Sequence, residues 1–235
     1  MTNLARRMIA SARSRTQSLI RRWRNRRPAM VGRADEFELK RSFQIQFLSE
    51  HGLKPGVSLV DIGCGVLRGG LPIIRELDPE RYCGIDVRAE CIRIAKREVR
   101  RGRLSHKKPS LVHCTDLRTL RLDQRFDIAW AFSVLFHLTD DALEDVVAFV
   151  SGHLKDNGVF YANANLGVRQ DGRWEEFPVR WRTLEQYHTT ATSYGLSVEP
   201  IGTLESLGHK SQKEPGENLQ EMLVFRRSAA STRSS

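Results

Sequence analysis

Three acidic residues stand where an apolar run gives way to a loop. They are Asp61 in Val60-Asp61-Ile62-Gly63-Cys64-Gly65, Asp86 in Tyr82-Cys83-Gly84-Ile85-Asp86, and Asp116 in Cys114-Thr115-Asp116. One such acid is unremarkable. Three on successive runs, the first leading into Gly63-Cys64-Gly65, form a set that can face one ligand, and the glycines let backbone approach it closely. A dinucleotide fingerprint would need its third glycine at position 68, which is Arg68; Gly69 comes one residue late. A carboxylate at Asp61 is also poorly placed beside a pyrophosphate. A Walker-type phosphate loop is excluded, since no Gly-Lys-Ser/Thr follows. The acids better suit a ligand that is cationic near the loop and carries a diol further along. Asp86, 21 residues after Gly65, is placed to accept from a ribose diol. Asp116 is placed to accept from an exocyclic amino group.

The elements that must position these acids alternate along the chain. Apolar runs at 57–62, 82–85, 111–114, 126–132, 159–164, 196–201 and 222–225 read as strands. Helical spacing appears at 36–52, where Phe37, Phe43, Phe47 and Leu48 recur, and at 71–77, 89–101, 140–154 and 184–194. Asn157-Gly158 is expected to close the 140–154 helix with a left-handed stop. Such alternation predicts an α/β protein, a Rossmann-like doubly wound sheet that binds ligands at the carboxyl ends of its strands. Three segments follow: a basic extension over 1–33, the α/β domain over 34–226, and a disordered tail over 227–235.

With those runs in order, the chain resembles the class I S-adenosylmethionine-dependent methyltransferases. Val60 to Gly65 looks like their first motif. The likeness continues through Tyr82 to Asp86, Cys114 to Asp116, Phe126 to Ser133, and the turn and strand of Leu154 to Tyr161, and spans about residues 34–226. The resemblance implies seven strands in the order 3-2-1-4-5-7-6, mostly parallel, with an antiparallel seventh strand. It implies S-adenosyl-L-methionine as cofactor, held by Asp61, Gly63, Cys64, Gly65, Arg68, Asp86, Asp116 and Ser133. Many members carry a third glycine where this chain has Leu67; the loop Gly65-Val66-Leu67-Arg68-Gly69-Gly70 resembles a Leu-Arg-Gly-Gly branch. Arg68 either meets the methionine carboxylate of the cofactor or pairs with a surface acid.

Methyl transfer asks little acid–base chemistry of a protein, because the cofactor brings an activated carbon. A base helps only where the acceptor must lose a proton. Ser133 and His137 are the polar groups expected nearest the transfer point, and both are candidate catalytic residues; His137 is either a general base or a histidine held by backbone bonds. Asn163 and Asn165 end the fifth strand, facing the acceptor or serving its turn. The long connection 166–183 holds Trp174, Phe177, Arg180, Trp181 and Arg182, which suits a lid over a flat or anionic acceptor or a cap on the sheet edge. The segment 203–220 reads as a mobile loop. No Asn/Asp-Pro-Pro-Tyr/Phe run follows the fourth strand, which argues against methylation of nucleobase amino groups in the usual way.

Charge is unevenly spread. The chain has 38 Lys and Arg against 28 Asp and Glu, yet nine arginines fall within residues 1–27, where there is no acid. Removing those, Arg33, Arg226, Arg227 and Arg233 leaves 25 bases against 28 acids in 34–225. The basic character belongs to the ends. Residues 4–27 place Leu4, Met8, Ile9, Leu19, Ile20 and Trp23 on one side of a helical projection and most arginines on the other. That pattern fits an anionic membrane surface, a transit segment or a frayed extension. Cys64, Cys83, Cys91 and Cys114 form no Cys-x-x-Cys pair and have no histidine at zinc-ligand spacing. They read as reduced thiols, without structural metal, in a cytoplasmic setting with peripheral membrane association through the leader. The expected activity is methyl transfer to a small-molecule, lipid-linked or glycan-linked acceptor. An RNA methyltransferase using the basic leader is an alternative, although a domain of net −3 makes nucleic acid a poor partner. A non-catalytic binding domain is the other.

Overall fold

Residues 34–228 are described by a computed structural model; the leader at 1–33, with its stretch 4–27, and positions 229–235 of the tail lie outside the described residues. The strands are β1 (Leu59–Ile62), β2 (Tyr82–Asp86), β3 (Ser110–His113), β4 (Phe126–Ala131), β5 (Leu154–Ala164), β6 (Gly172–Trp174), β7 (Phe177–Val179), β8 (Leu196–Thr203) and β9 (Glu221–Arg227). The helices are α1 (Phe37–Glu50), α2 (Gly70–Glu76), α3 (Ala89–Arg101), α4 (Asp140–His153), α5 (Leu184–Ser193) and the short α6 (Pro215–Asn218). The main sheet has seven strands in the order β3-β2-β1-β4-β5-β9-β8. The pairs joining β3 through β5 are parallel, and β9 runs antiparallel to both β5 and β8. This is the expected order, with β9 as the inserted antiparallel strand.

Period-two alternation sorts the strand residues onto two faces. Leu59, Ile128, Trp130, Tyr161, Met222 and Val224 pack with Phe43, Phe47, Leu48, Ile73 and Ile74, the face that α1 and α2 cover. Val60, Ile62, Ala129, Ala131, Phe160, Ala162, Leu223 and Phe225 pack with Val146, Val147, Val150, Tyr187 and Ala191 of α4 and α5. Asp61 shares its parity with Leu59, so the strand directs it to the α1 side at the carboxyl edge of the sheet. β1 is buried along its whole length, as a central parallel strand must be.

Three local features differ from expectation. α4 ends at His153, Leu154 is already extended (φ −81°, ψ 136°), and neither Asn157 nor Gly158 has a positive φ. Gly158 is needed for space instead, since a Cβ there would lie 2.9 Å from Phe126 O. The 166–183 connection contains a hairpin, β6–β7, pairing Trp174 with Phe177. The main strand β9 continues to Arg227, whose Nη2 donates to Ser151 O at 2.7 Å and Leu154 O at 2.8 Å.

Candidate active site

A cavity of about 410 Å³ opens at the carboxyl ends of β1, β4 and β5, bordered by α1, the glycine loop, the β6–β7 segment and the 203–220 segment. Of the residues singled out from the sequence, Asp61, Gly63, Cys64, Gly65, Arg68, Gly69, Ser133, His137, Asn165, Trp174 and Trp181 line it. Asp86 and Asp116 do not. Asp86 is buried beside the loop, where Oδ2 accepts from Gly65 N at 2.8 Å and Oδ1 from Arg88 N at 2.8 Å. Asp116 sits apart, with Arg118 Nε 3.0 Å from its Oδ1, a contact that lowers the carboxyl pKa.

The loop after β1 turns through left-handed backbone at Gly63 (φ 72°), Gly65 (φ 54°) and Leu67 (φ 63°). Leu67 is fully buried, and its packing offsets the cost, of order 1–2 kcal/mol, of holding a branched side chain there. The two following glycines supply room. A Cβ at Gly69 would come within 2.2 Å of Gln44 Oε1, and one at Gly70 within 2.4 Å of the Tyr82 hydroxyl. That hydroxyl donates to Asp61 Oδ2 at 2.6 Å. Burial nonetheless pushes the Asp61 carboxyl up to about 7, with nearby Asp86 adding to the rise and the Tyr82 bond and Arg68 opposing it. Arg68 is also buried, which brings its guanidinium down to about 10 against the pull of Glu217, Asp61 and Glu214. Its Cζ lies 5.8 Å from the Phe132 ring centroid, inside the cavity. Burial raises the Cys64 thiol well above its ordinary range, so it is a packing residue and not a nucleophile.

The 203–220 segment is packed into the site, in contrast to the mobile loop expected from its composition. Lys40 Nζ, on α1, lies 2.8 Å from Glu214 Oε2 and 3.0 Å from Glu217 Oε1. His209 Nε2 lies 3.1 Å from the other Glu217 oxygen. Burial disfavours the Glu217 charge, but His209 and Lys40 outweigh it and hold the carboxyl low. Gln220 accepts from Asn163 Nδ2 at 2.6 Å and donates to Asn165 Oδ1 at 3.0 Å. Asn163 Oδ1 in turn accepts from Ser133 N at 2.6 Å, fixing Ser133 at φ 60°. Asn163 is thus a positioning residue rather than one facing the acceptor.

At the other end of the cavity His137 lies beneath the hairpin. Pro178 O is 2.8 Å from Nδ1, so in the neutral ring Nδ1 carries the proton and Nε2 is the acceptor. Burial lowers its pKa, outweighing the carbonyl, and Arg88 lowers it further. Trp174 and Phe177 ring centroids lie 5.4 Å and 6.0 Å away. Arg182 is a buried brace: it donates to Leu135 O at 3.3 Å and Leu138 O at 2.7 Å, and Nη2 lies 2.7 Å from Asp140 Oδ1. Arg180 is paired with Asp171. Neither lines the cavity; Arg88 and Arg169 do.

The contributors missing from the sequence reading are Lys40, Gln44, Arg88, Arg169, Glu214, Glu217 and Gln220. A signal existed for two of them. Lys40 and Gln44 fall on the same helical stripe as Phe37, Phe43 and Phe47, and polar groups on a buried stripe need partners. Among the described residues, no cluster of three or more His, Cys, Asp or Glu is placed to hold a metal ion.

Residues 60–160 match the family described as a methyltransferase domain. No curated protein matches the chain by sequence. Among solved structures, a TehB-like S-adenosylmethionine-dependent methyltransferase from Corynebacterium glutamicum is 20% identical with a TM-score of 0.59, covering 91% of this chain and 98% of its own. A methyltransferase dependent on the same cofactor from Clostridium acetobutylicum is 15% identical with a TM-score of 0.60, covering 82% and 92%. Magnesium protoporphyrin IX methyltransferase from Synechocystis, with bound S-adenosylmethionine, is 15% identical with a TM-score of 0.56, covering 80% and 77%. The fold is the Rossmann-like α/β fold of the S-adenosylmethionine-dependent methyltransferases.

Proposed function

We propose that this protein is an S-adenosylmethionine-dependent methyltransferase acting on a small-molecule acceptor. The observation that carries the reading is the charge arrangement at the deep end of the cavity. There a buried carboxylate, Asp61, forced up to about 7, sits with the buried cations Arg68 and Lys40 beside a left-handed glycine turn. Those residues fit a ligand carrying both a cationic centre and an α-amino-acid carboxylate: Asp61 answers the positive charge and Arg68 the negative. Gly63 and Gly65 give the close backbone approach, and Asp86 braces the loop through Gly65 N. The Leu67-Arg68-Gly69-Gly70 sequence fits a branch of the family in which the buried leucine replaces the third glycine. When bound, the cofactor supplies a methyl group already activated by its sulfonium. The protein orients the partners and excludes water. Where the acceptor is a hydroxyl, neutral His137 takes its proton at Nε2, the nitrogen left open by the Pro178 contact.

The test is calorimetry with S-adenosylmethionine and with NAD on the wild type and Asp61→Ala, followed by labelled-methyl transfer to fractionated cell extract. The expected result is binding of the first ligand only, lost in the variant. Transfer by His137→Asn should fall by about 10²–10⁴-fold with cofactor affinity retained. Wild-type protein that ignores the cofactor, or a variant that binds it equally well, overturns the reading.

A further inference from the structure

The two ends of the cavity differ in charge and in kind. The carboxylates that line it are Asp61, Glu214 and Glu217, and each belongs to the deep end, Asp61 on Tyr82 and the glutamates on Lys40. The outer end is built from aromatic rings and arginines. Trp174 and Phe177 stack as a cross-strand pair, with centroids 6.1 Å apart and planes 15° from parallel. Arg88 Cζ lies 5.5 Å over the Phe177 ring, and Arg169 Cζ lies 4.5 Å over the Trp181 ring. Asp171, on the same segment, is taken up by Arg180 and by Trp181 N at 3.1 Å. Arg169 is exposed at the rim, and among the described residues no carboxylate forms an ion pair with it.

We infer that the outer end of this cavity receives a planar, anionic acceptor: a flat ring system bearing a carboxylate or comparable anion, set against Trp174 and Trp181 with its charge toward Arg169. The inference rests on the proposed methyltransferase reading and names the substrate class of the same site. Its physical grounds are independent of cofactor chemistry. Tryptophan faces present flat apolar area that a rigid ring covers with little loss of conformational freedom. A guanidinium stacked on indole keeps its edge donors available in plane, so the same group that covers the ring can bind an anion. A cationic acceptor would meet Arg169 with like charge, whereas Arg88 is already paired with Asp86 at 3.7 Å. An aliphatic acid would gain the charge and lose the stacking.

The experiment uses the full chain and three probes: 6-hydroxy-2-naphthoate, its carboxamide, and cyclohexanecarboxylate. S-adenosylhomocysteine binding is measured first by calorimetry, and the probes are then titrated into the saturated protein. The naphthoate should bind at least roughly tenfold more tightly than either of the others, a difference of one decade in Kd. Arg169→Gln, at an exposed position, should bring naphthoate affinity down to that of the carboxamide and leave the carboxamide unchanged. Equal or tighter carboxamide binding, equal cyclohexanecarboxylate binding, no naphthoate binding at millimolar concentration, or a preference that survives Arg169→Gln each overturns the inference. Any of these with S-adenosylhomocysteine bound leaves the methyltransferase reading standing. If S-adenosylhomocysteine does not bind, that reading falls, and the probe series on the unsaturated protein decides the anion site by itself.

Discussion

Asp61 is placed by its strand at a position that burial makes electrostatically unfavourable, and Tyr82 relieves only part of the cost. The consequences run in two directions. In the ligand-free fold its pKa of about 7 stands above the unfolded value of 3.8, so the native state holds a proton that the unfolded chain has lost. Stability from this group is complete below about pH 4, declines as pH rises toward 7, and is gone above it. The loss is about 4 kcal/mol at most by linkage. Asp61→Asn keeps an acceptor for Tyr82 and removes the charge. Its ligand-free melting temperature at pH 8 should exceed that of wild type by several degrees, while the two converge near pH 4. A cationic ligand pulls the same carboxyl back down, so cofactor binding at pH 7 should release about half a proton. Affinity should rise from pH 6 to 7 and level off above. Calorimetry in buffers of different ionisation enthalpy reads this directly; affinity that falls with pH, or heats independent of buffer, contradicts it.

Lys40 joins α1 to a segment 174 positions further along the chain, and that distance explains both a prediction and a blind spot. Removing one member of a buried ion cluster costs about 3–5 kcal/mol when it strands the others, and less when both are removed. In Lys40→Met, Glu217 keeps His209 and the attraction of Arg68, and Glu214 loses its lysine. Amide exchange over 205–220 should accelerate and cofactor affinity should weaken, with the strands β1, β4 and β5 still protected. Lys40→Met combined with Glu217→Gln should cost less than the sum of the single changes; strict additivity would mean the cluster is not a unit. The strands and the acids at their ends were legible because hydrophobic period and glycine placement are local signals, whereas the strand order followed only from the family resemblance. Asp61 and the glycine loop follow from them directly. The 203–220 segment was not legible, since Gly, Pro, Lys and Glu composition reads as a solvated loop until Lys40 is known to face it. The hairpin was equally hidden, because three-residue strands such as Gly172–Trp174 lie below any periodic signal. Asp116 follows a strand as expected, and in the ligand-free fold its carboxylate is paired with Arg118 two residues on, a contact that strand patterning does not reveal.

At the scale of the whole molecule the charge is partitioned, and we propose that the basic leader serves an anionic membrane surface while the cavity serves the ligand. The cavity selects by local arrangement of a few buried charges, while the net excess of base lies in the termini, with nine arginines in residues 1–27. Each Lys or Arg close to an anionic bilayer contributes about 1 kcal/mol, and apolar side chains interspersed with them, such as Leu4, Met8, Ile9 and Ile20, would add burial in the interface. No helix among the described residues is long and apolar enough to cross a membrane. The full chain should co-sediment with vesicles containing a third phosphatidylserine at 50 mM salt and be released near 1 M, where the Debye length falls to about 3 Å. A chain beginning at residue 34 should stay in the supernatant with unchanged cofactor affinity, because the charges proposed to hold the cofactor lie in the cavity. Neutral phosphatidylcholine vesicles separate the two contributions: retention there would assign the leader's binding to its apolar residues alone. Equal sedimentation with and without residues 1–33 would move the membrane contact onto the domain, and preferential, salt-sensitive binding of the full chain to RNA over vesicles would give the leader to nucleic acid instead.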